Sequence, residues 1–528
     1  MKIFYDRFYS YNEIIDCLNG IKAEDNNDLL SVETYGVSRE GRNIPIAIVN
    51  DKTTGHHTKK PAYYIQANVH SIEMSGTTVA LHFINYLINN EETKELLKNV
   101  AFYIVPRINV DGAEYAITKG SAPRSRYEEN GAKNAIVPQD VNGDGKVLYM
   151  RWEDPLGPFV ELDDEPRMMV RCTDGDYAGK KRYQMVREGF VRDYDGGALR
   201  SGTREIDFNR NYAAEWSSRH LFASKYPFEE PELRAVAEFT TSHTNIFAGI
   251  DLHNGSNGIL RPSITPDAQI NEEDLYLIIG IGEMAEKITG FPLIHEIAYR
   301  PDKFPLSTLY GNSNEWAYKN LGISHYVIEL GNGFNTAGYT TREIFTHSYA
   351  DWDTVFRPKA LKVCDEKGYK VFEDWAPFEH PQLGKVEIGG LYENNAFLLD
   401  IGQMEQIAPK VSEFFIAHAK MHPLLKISDA EITAVSKDIY RVRCRMSNIG
   451  SMSTKIMASG NPCFKVPAKA ELKIPETAEF VSREQIFEIN APEQPTHFEW
   501  FVKSDNDITG HTKIVASHPK AGICTIIV

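Results

Sequence analysis

Short apolar runs alternate with longer amphipathic stretches along the first 330 residues of the chain. Residues 62–67 and 100–105 are apolar runs of strand length, whereas residues 76–89 repeat apolar side chains at helical spacing. The same alternation predicts further helices at 11–22, 231–241 and 271–289, and further strands within 31–49, 245–252 and 325–330. Strands that alternate with helices of ten or more residues are typical of an α/β fold. We therefore predict a doubly wound, mixed sheet flanked by helices.

Two parts of the chain depart from this pattern. Residues 113–206 are rich in Gly, Asp, Arg and Pro and show little periodicity, so we expect a loop insertion there. Residues 403–422 return to helical spacing, and short alternating runs from residue 427 onward predict a small all-β sandwich. The predicted organisation is an α/β domain over 1–424, with a connecting segment and docking helix at 380–424, and a β-sandwich accessory domain over 425–528.

The composition excludes several classes of function. The 528 residues are 42% hydrophobic and 25% charged, and 57 basic against 73 acidic residues give a net charge of -16. A chain this acidic is not expected to bind nucleic acid or an anionic lipid surface, because both require a basic face. It has no apolar run of about 18 residues that could span a membrane. Without a signal-like N-terminus the sequence as it stands predicts a cytoplasmic protein, and a periplasmic or secreted one if a signal has been removed.

The sharpest chemical signal is the sequence NVHSIE at 68–73, between a predicted strand and a predicted helix. His70 and Glu73 at the end of a strand can both reach one cation, and zinc accepts nitrogen and oxygen ligands. His253 ends another predicted strand and offers a third ligand, and open α/β sheets bind ligands at such strand ends. Each residue alone also fits an ordinary role, as a hydrogen-bonded histidine or a capping glutamate.

Two further clusters have the residue types of a peptide-binding site. Arg210 follows Asn209 in the sequence DFNRN, and a guanidinium beside an amide suits a carboxylate, although a solvated turn is the alternative. Glu329 ends the apolar run at 325–330. Burial there would raise the pKa of its carboxyl toward neutrality, which suits a general base, whereas a buried ion pair is equally open.

In this order the motifs resemble the zinc carboxypeptidase family of the carboxypeptidase A type, over roughly residues 8–345. Met150-Arg151-Trp152 and the sequence LGKVEIGG at 383–390 resemble a bacterial subgroup with an insertion. The motifs that carry the family resemblance are SREGRNIPI at 38–46, HSIE at 70–73, NVDG at 109–112, DFNRN at 207–211, DLHNG at 251–255, and NEWAY to IEL from 314 to 330.

The resemblance implies a metallocarboxypeptidase that acts on peptides with a free C-terminal carboxylate. It implies that Glu329 is the general base and that Asn209 and Arg210 hold that carboxylate. The family's oxyanion arginine lies twelve residues after the NxDG glycine, which gives Arg124, with Arg126 as the neighbouring alternative. The zinc ligands that the resemblance implies are His70, Glu73 and His253.

Two positions depart from the family pattern. The family's mobile tyrosine would fall on Ser307, so Tyr310 is the neighbouring candidate for that role. Asn314 occupies the position that helps to set specificity, and an amide there favours neither an apolar nor a basic terminal residue.

The insertion contains its own metal-like signal. Asp140, Asn142 and Asp144 occupy positions 1, 3 and 5 of a loop that opens like a calcium-binding EF-hand loop. Position 12 is Arg151 instead of the bidentate glutamate, so Ca²⁺ would need oxygens from elsewhere, such as Glu153 or Asp154. A polar turn without calcium is the equal alternative.

Two other functions stay open. A peptidoglycan-peptide hydrolase acting on D-amino acid or diaminopimelate linkages would use the same ligands. A catalytically inactive peptide-binding protein could keep the fold, but the intact set of ligands and Glu329 argues against it.

Overall fold

The central element of the protein is a mixed β-sheet. A computed structural model describes residues 1–172, 179–295, 309–347, 352–393, 401–458, 460–490 and 493–528. Within these ranges eight strands form the sheet, and the predicted doubly wound mixed sheet is confirmed. In spatial order the strands are Leu30–Val37, Asn43–Val49, Ala101–Val105, Ala62–Ala67, Ile246–Asn254, Ser324–Leu330, Gly258–Leu260 and Leu293–Ile294.

Four neighbouring strands at the middle of this sheet run parallel: Ala101–Val105, Ala62–Ala67, Ile246–Asn254 and Ser324–Leu330. Almost every residue in them is buried, because helices cover both faces. Parallel pairing brings the carboxyl ends of these strands to one edge of the sheet, where their following residues meet.

The helices pack on both faces of the central sheet and bury its two hydrophobic cores. The last one, Ile401–Ala419, packs against Ser75–Asn89 and Glu272–Thr289. No described helix combines the length and the apolar character that crossing a membrane requires. The helices of nine or more residues are Tyr11–Glu24, Ser75–Asn89, Glu91–Asn99, Val110–Lys119, Pro231–Ser242, Glu272–Thr289, Arg357–Lys367 and Ile401–Ala419.

The prediction of a loop insertion at 113–206 is wrong for most of that segment. Strands from the insertion pair with two strands from residues 372–391 in an antiparallel sheet, which we call the insertion sheet. Residues 384–391, which we expected to form part of the connecting segment at 380–424, therefore belong to this sheet. In spatial order its strands in the described residues are Phe372–His380, Gly384–Leu391, Tyr149–Glu153, Tyr183–Arg187, Phe159–Leu162 and Glu165–Arg171.

Short strands and one long-range pairing explain why sequence periodicity does not reveal the insertion sheet. The strands are four to nine residues long, and Arg151 pairs in register with Glu387, far along the chain. The Arg151 guanidinium lies over the rings of Tyr183 and Trp375 and bonds to the Glu387 carboxylate. Two smaller sheets complete the insertion: Ala135–Pro138 with Gly189–Arg192 and Arg200–Ser201, and Arg126–Glu129 with Thr203–Ile206.

The predicted all-β sandwich is confirmed in the last hundred residues. Its core surrounds the fully buried Trp500. Met452 and Met457, between its strands, join the core of the central sheet. The two sheets are Leu425–Ala434, Ile439–Asn448, Thr496–Lys503 and Glu479–Phe480, and Ile486–Ile489, Ala468–Lys473, Lys513–His518 and Gly522–Ile527.

We expect Phe415→Ala to destabilise the protein by about 3–5 kcal/mol, the usual cost of emptying a buried aromatic site. Phe415 is fully buried, and its ring meets that of Phe83 edge-on at 5.0 Å between centroids. Urea unfolding curves test this. Glu413→Ala, two residues away on the exposed face of the same helix, should change the unfolding free energy by less than about 0.5 kcal/mol. Equal curves for both variants would contradict the docking of this helix.

Candidate active site

Two parallel strands bring three metal-binding side chains together. His70 and Glu73 lie in the loop that follows Ala62–Ala67, and His253 lies near the end of Ile246–Asn254. The Nδ1 atoms of His70 and His253 are 3.2 Å apart, and each lies 2.8 Å from one Glu73 oxygen. All three residues are buried.

The outer nitrogens of both imidazoles face carboxylates. Nε2 of His70 is 3.0 Å from Oδ1 of Asp207, and Nε2 of His253 is 3.2 Å from Oδ2 of Asp251. Asp251 also accepts hydrogen bonds from the Gln66 amide at 2.8 Å and the Ser313 hydroxyl at 2.6 Å. A carboxylate behind each ring fixes its orientation and leaves Nδ1 to face the centre of the cluster.

This donor set fits a catalytic zinc ion. Ligand atoms at about 2.0–2.1 Å from a tetrahedral zinc lie about 3.3 Å from one another, close to the observed 2.8–3.2 Å separations. Two imidazoles and one carboxylate leave a fourth position for water or substrate, as in catalytic sites.

The charges around the cluster favour a cation at its centre. Burial opposes ionisation of Glu73, but His70, Arg124 and His253 together hold the pKa of its carboxyl well below the ordinary value. The pKa of Asp207 is likewise lowered, against its burial, by His70 and by neighbouring arginines. Several ionised carboxylates therefore share one buried space, which requires compensating positive charge.

Arg124, and not Arg126, reaches the metal-binding cluster. Its Nη1 donates a hydrogen bond to the Glu73 carboxylate at 2.7 Å. Burial alone would lower the pKa of the Arg124 guanidinium, but the neighbouring carboxylates outweigh this effect and raise it. Arg126 instead forms a two-point ion pair with the buried Glu230. Of the two arginines that the sequence left open, only Arg124 contacts a metal-binding residue, and its role stays a prediction.

The NVDG motif holds Arg124 in place. Asn109 caps the helix Val110–Lys119 by accepting a hydrogen bond from the Gly112 N–H at 2.9 Å. Its amide also donates to the Ser125 carbonyl at 2.8 Å, next to Arg124. The Ser71 N–H donates to the Arg124 carbonyl at 2.8 Å, so the two loops are bonded to each other.

Glu329 lies beside the metal ligands because of strand register. It pairs directly with His253 across the two parallel strands. A glycine at 255 leaves room for its carboxylate, since a Cβ there would lie 2.5 Å from Oε2 of Glu329. The carboxylate is partly exposed to the cavity described next.

A cavity of about 1340 Å³ connects these groups with the residues predicted to bind substrate. Asn209, Arg210, Tyr310 and Asn314 all line it, whereas Ser307 lies outside the described residues. The Asn209 side chain accepts from the Ser313 N–H at 2.8 Å, which ties it to residues 309–315.

The insertion sheet forms the opposite wall of this cavity. That wall is largely apolar, and its strands were not identified in the sequence because they are short and two of them come from residues 372–391. The sequence contains a weak indication of the carboxylate partner of His253. Asp251 lies two residues before His253, and alternate residues of a strand share one face. Wall residues from the insertion sheet include Phe159, Met168, Met169, Met185 and Trp375.

The calcium site stays a prediction. Both oxygens of Asp140 accept backbone N–H groups, from Gly143 at 2.7 Å and Gly145 at 2.8 Å. Asn142 and Asp144 make similar short-range bonds to backbone N–H groups. These contacts are those of a polar turn.

Comparison with known proteins identifies relatives of the chain. Carboxypeptidase B of Astacus astacus is 29% identical over 187 residues, which are 35% of this chain and 55% of the relative. Carboxypeptidase B2 of Rattus norvegicus is 26% identical over 346 residues, 62% of this chain and 64% of the relative. The chain therefore spans less than two thirds of the length of these curated relatives.

Solved structures include carboxypeptidase A from Helicoverpa armigera, at 16% identity and a TM-score of 0.40, covering 69% of this chain and 74% of that one. Residues 424–528 match a family model described as a domain of unknown function. Residues 15–345, more than half of the chain, match the family model described as zinc carboxypeptidase. Zinc is the metal that this family implies, in agreement with the donor set of the cluster. The predicted resemblance is confirmed, and the chain belongs to the zinc carboxypeptidase family.

Proposed function

We propose that this protein is a zinc-dependent carboxypeptidase that hydrolyses the last peptide bond of peptides with a free C-terminal carboxylate. The observation that carries the proposal is the convergence of His70, Glu73 and His253 in one cavity with Glu329 and Arg210. We assign residues 1–424 to the peptidase unit and residues 425–528 to an accessory domain.

The protein's own groups have separable roles in this reaction. Zinc held by His70, Glu73 and His253 would supply Lewis acidity toward a water molecule and the scissile carbonyl. Glu329 accepts the proton of the attacking water and later returns it to the leaving amine. Arg124 donates hydrogen bonds to the carbonyl oxygen as negative charge develops there.

Recognition of the peptide's end explains why a single residue would be removed. The Arg210 guanidinium can bind a carboxylate in two-point fashion, and the neighbouring Asn209 adds an amide. Asn314 lines the same part of the cavity, and its buried Oδ1 has no hydrogen-bond partner among the described residues. We assign Asn314 to the pocket for the terminal side chain and Tyr310 to its rim. The insertion sheet walls the other side and would favour small or flexible peptides.

We expect single C-terminal residues to be lost when the protein is incubated with a mixed peptide library. Mass spectrometry of the products detects the activity and identifies the preferred terminal residue. A zinc chelator should stop the loss, and Glu329→Gln should lower kcat about 100- to 10,000-fold, the usual contribution of a general base. Intact L-peptides throughout, with cleavage of peptides ending in D-amino acids or diaminopimelate, would favour the peptidoglycan-peptide hydrolase instead.

His253→Ala should weaken zinc binding more than about 100-fold, because even the outer partners of zinc ligands contribute about 10- to 100-fold. Metal content after dialysis against a graded zinc buffer measures this without any assay of activity. His418→Gln provides the control, since His418 is also buried but bonds to Tyr63 and Ser324 away from the cluster. Equal zinc content in both variants would contradict the proposed ligand set.

Arg210→Gln should lower kcat/KM for a peptide with a free C-terminal carboxylate. The expected loss of transition-state stabilisation is about 2–5 kcal/mol, the usual cost of removing one partner from a buried charge pair. The same peptide with an amidated C-terminus lacks the negative charge, so it should be a poor substrate of both proteins. Its kcat/KM should therefore differ little between the wild-type protein and the variant. Initial rates with the paired peptides measure the difference. A similar loss for acid and amide would contradict recognition of the carboxylate by Arg210.

A further inference from the structure

Glu205 is a carboxylate in the cavity that none of the proposed catalytic steps uses. It lies in the strand Thr203–Ile206, two residues before Asp207. Alternate residues of an extended chain point to the same side. Asp207 faces His70, and Glu205 lines the same cavity.

The Glu205 carboxylate is half-buried and has no ion pair with a basic side chain among the described residues. Arg124 makes its direct contact with Glu73 at 2.7 Å, and Arg187 makes its own with Glu393 at 3.0 Å. Burial and the neighbouring Glu393 carboxylate raise the pKa of the Glu205 carboxyl above its ordinary value. The Arg124 backbone N–H and the charges of Arg187 and Arg124 offset this rise only in part, so the carboxylate can still be stabilised by a cationic ligand.

The position of Glu205 indicates which part of a peptide it would meet. Its strand pairs with Arg126–Glu129, directly after Arg124, and it lies close to Glu393 next to the insertion sheet. Asn209, in contrast, contacts residues 309–315. A peptide whose terminal carboxylate lies at Arg210 and whose scissile carbonyl lies at Arg124 would continue past Arg124 toward Glu205.

We propose that Glu205 is a specificity-determining residue that binds a primary ammonium group on the residue immediately before the scissile bond. This inference rests on the proposed carboxypeptidase function and names a feature of its substrate. The ammonium would come from a lysine side chain or, in a dipeptide, from the free α-amino group. A lysine suits the surroundings, because its aliphatic stem can pack on the apolar wall that includes Met169 and Met185 while its charge meets the carboxylate.

The test uses the zinc-loaded full chain and peptides that end in the terminal residue preferred in the library experiment. The first comparison is acetyl-Lys-X against acetyl-norleucine-X, which has the same stem without the charge. The second is the dipeptide norleucine-X against its N-acetylated form, which isolates the α-amino group. In at least one comparison kcat/KM should favour the ammonium peptide about tenfold, which corresponds to about 1.4 kcal/mol.

Glu205→Gln should bring the ratio of kcat/KM between the ammonium peptide and its uncharged counterpart close to one. Asp353→Asn is the matched control, because Asp353 also lines the cavity but forms an ion pair with Arg357, and this variant should keep the wild-type ratio. In the wild-type protein the ratio should also fall as salt is raised, which tests the electrostatic origin without a variant.

Three outcomes would overturn the inference. Ratios near one in both comparisons would show that no ammonium group is selected. A preference that persists in Glu205→Gln would assign the selection to another group. Hydrolysis of no peptide by the zinc-loaded protein would instead overturn the carboxypeptidase function, and this inference with it, so the two failures are distinguishable.

Discussion

The parallel pairing of three strands is the constraint on which the active site depends. Ala62–Ala67, Ile246–Asn254 and Ser324–Leu330 end at one edge of the central sheet, and their register sets His253 directly opposite Glu329. A shift of one residue in either pairing would turn the corresponding side chains to the other face. The metal ligands and the candidate base are therefore held by the backbone hydrogen bonds of a buried sheet and not by flexible loops alone.

This arrangement concentrates negative charge in a buried space. Glu73, Asp207 and Asp251 are each almost inaccessible to water, yet their surroundings keep their pKa values low. Such carboxylates destabilise a fold unless positive charges lie close by, and here Arg124, His70 and His253 supply that charge. A divalent cation between the two imidazoles would supply the same compensation to the carboxylates. The same feature that makes the cluster costly for folding thus favours the binding of a metal ion.

The sequence predicts this centre well because its chemistry follows strand ends. His70, Glu73, His253 and Glu329 each come after or within an apolar run that is easily identified, so their meeting at one edge follows from the fold class. The different positions of Arg124 and Arg126 could not be read from the sequence, since both lie near the expected position and only the bonds to Glu73 and Glu230 distinguish them. The role of Tyr310 and the calcium loop stay predictions, because neither depends on a pattern that the fold determines.

The strands of the insertion were not predicted from the sequence, for a physical reason that also bears on function. Two of its strands, Phe372–His380 and Gly384–Leu391, follow the peptidase strands by many residues, so no local window contains the whole sheet. Two strands of the insertion sheet follow the last strand of the central sheet along the chain, and the insertion sheet forms one wall of the cavity. The metal centre therefore belongs to the first part of the chain, whereas the space available to the peptide depends on a segment beyond it. Specificity can consequently vary in this fold without any change in the strands that hold the metal ligands.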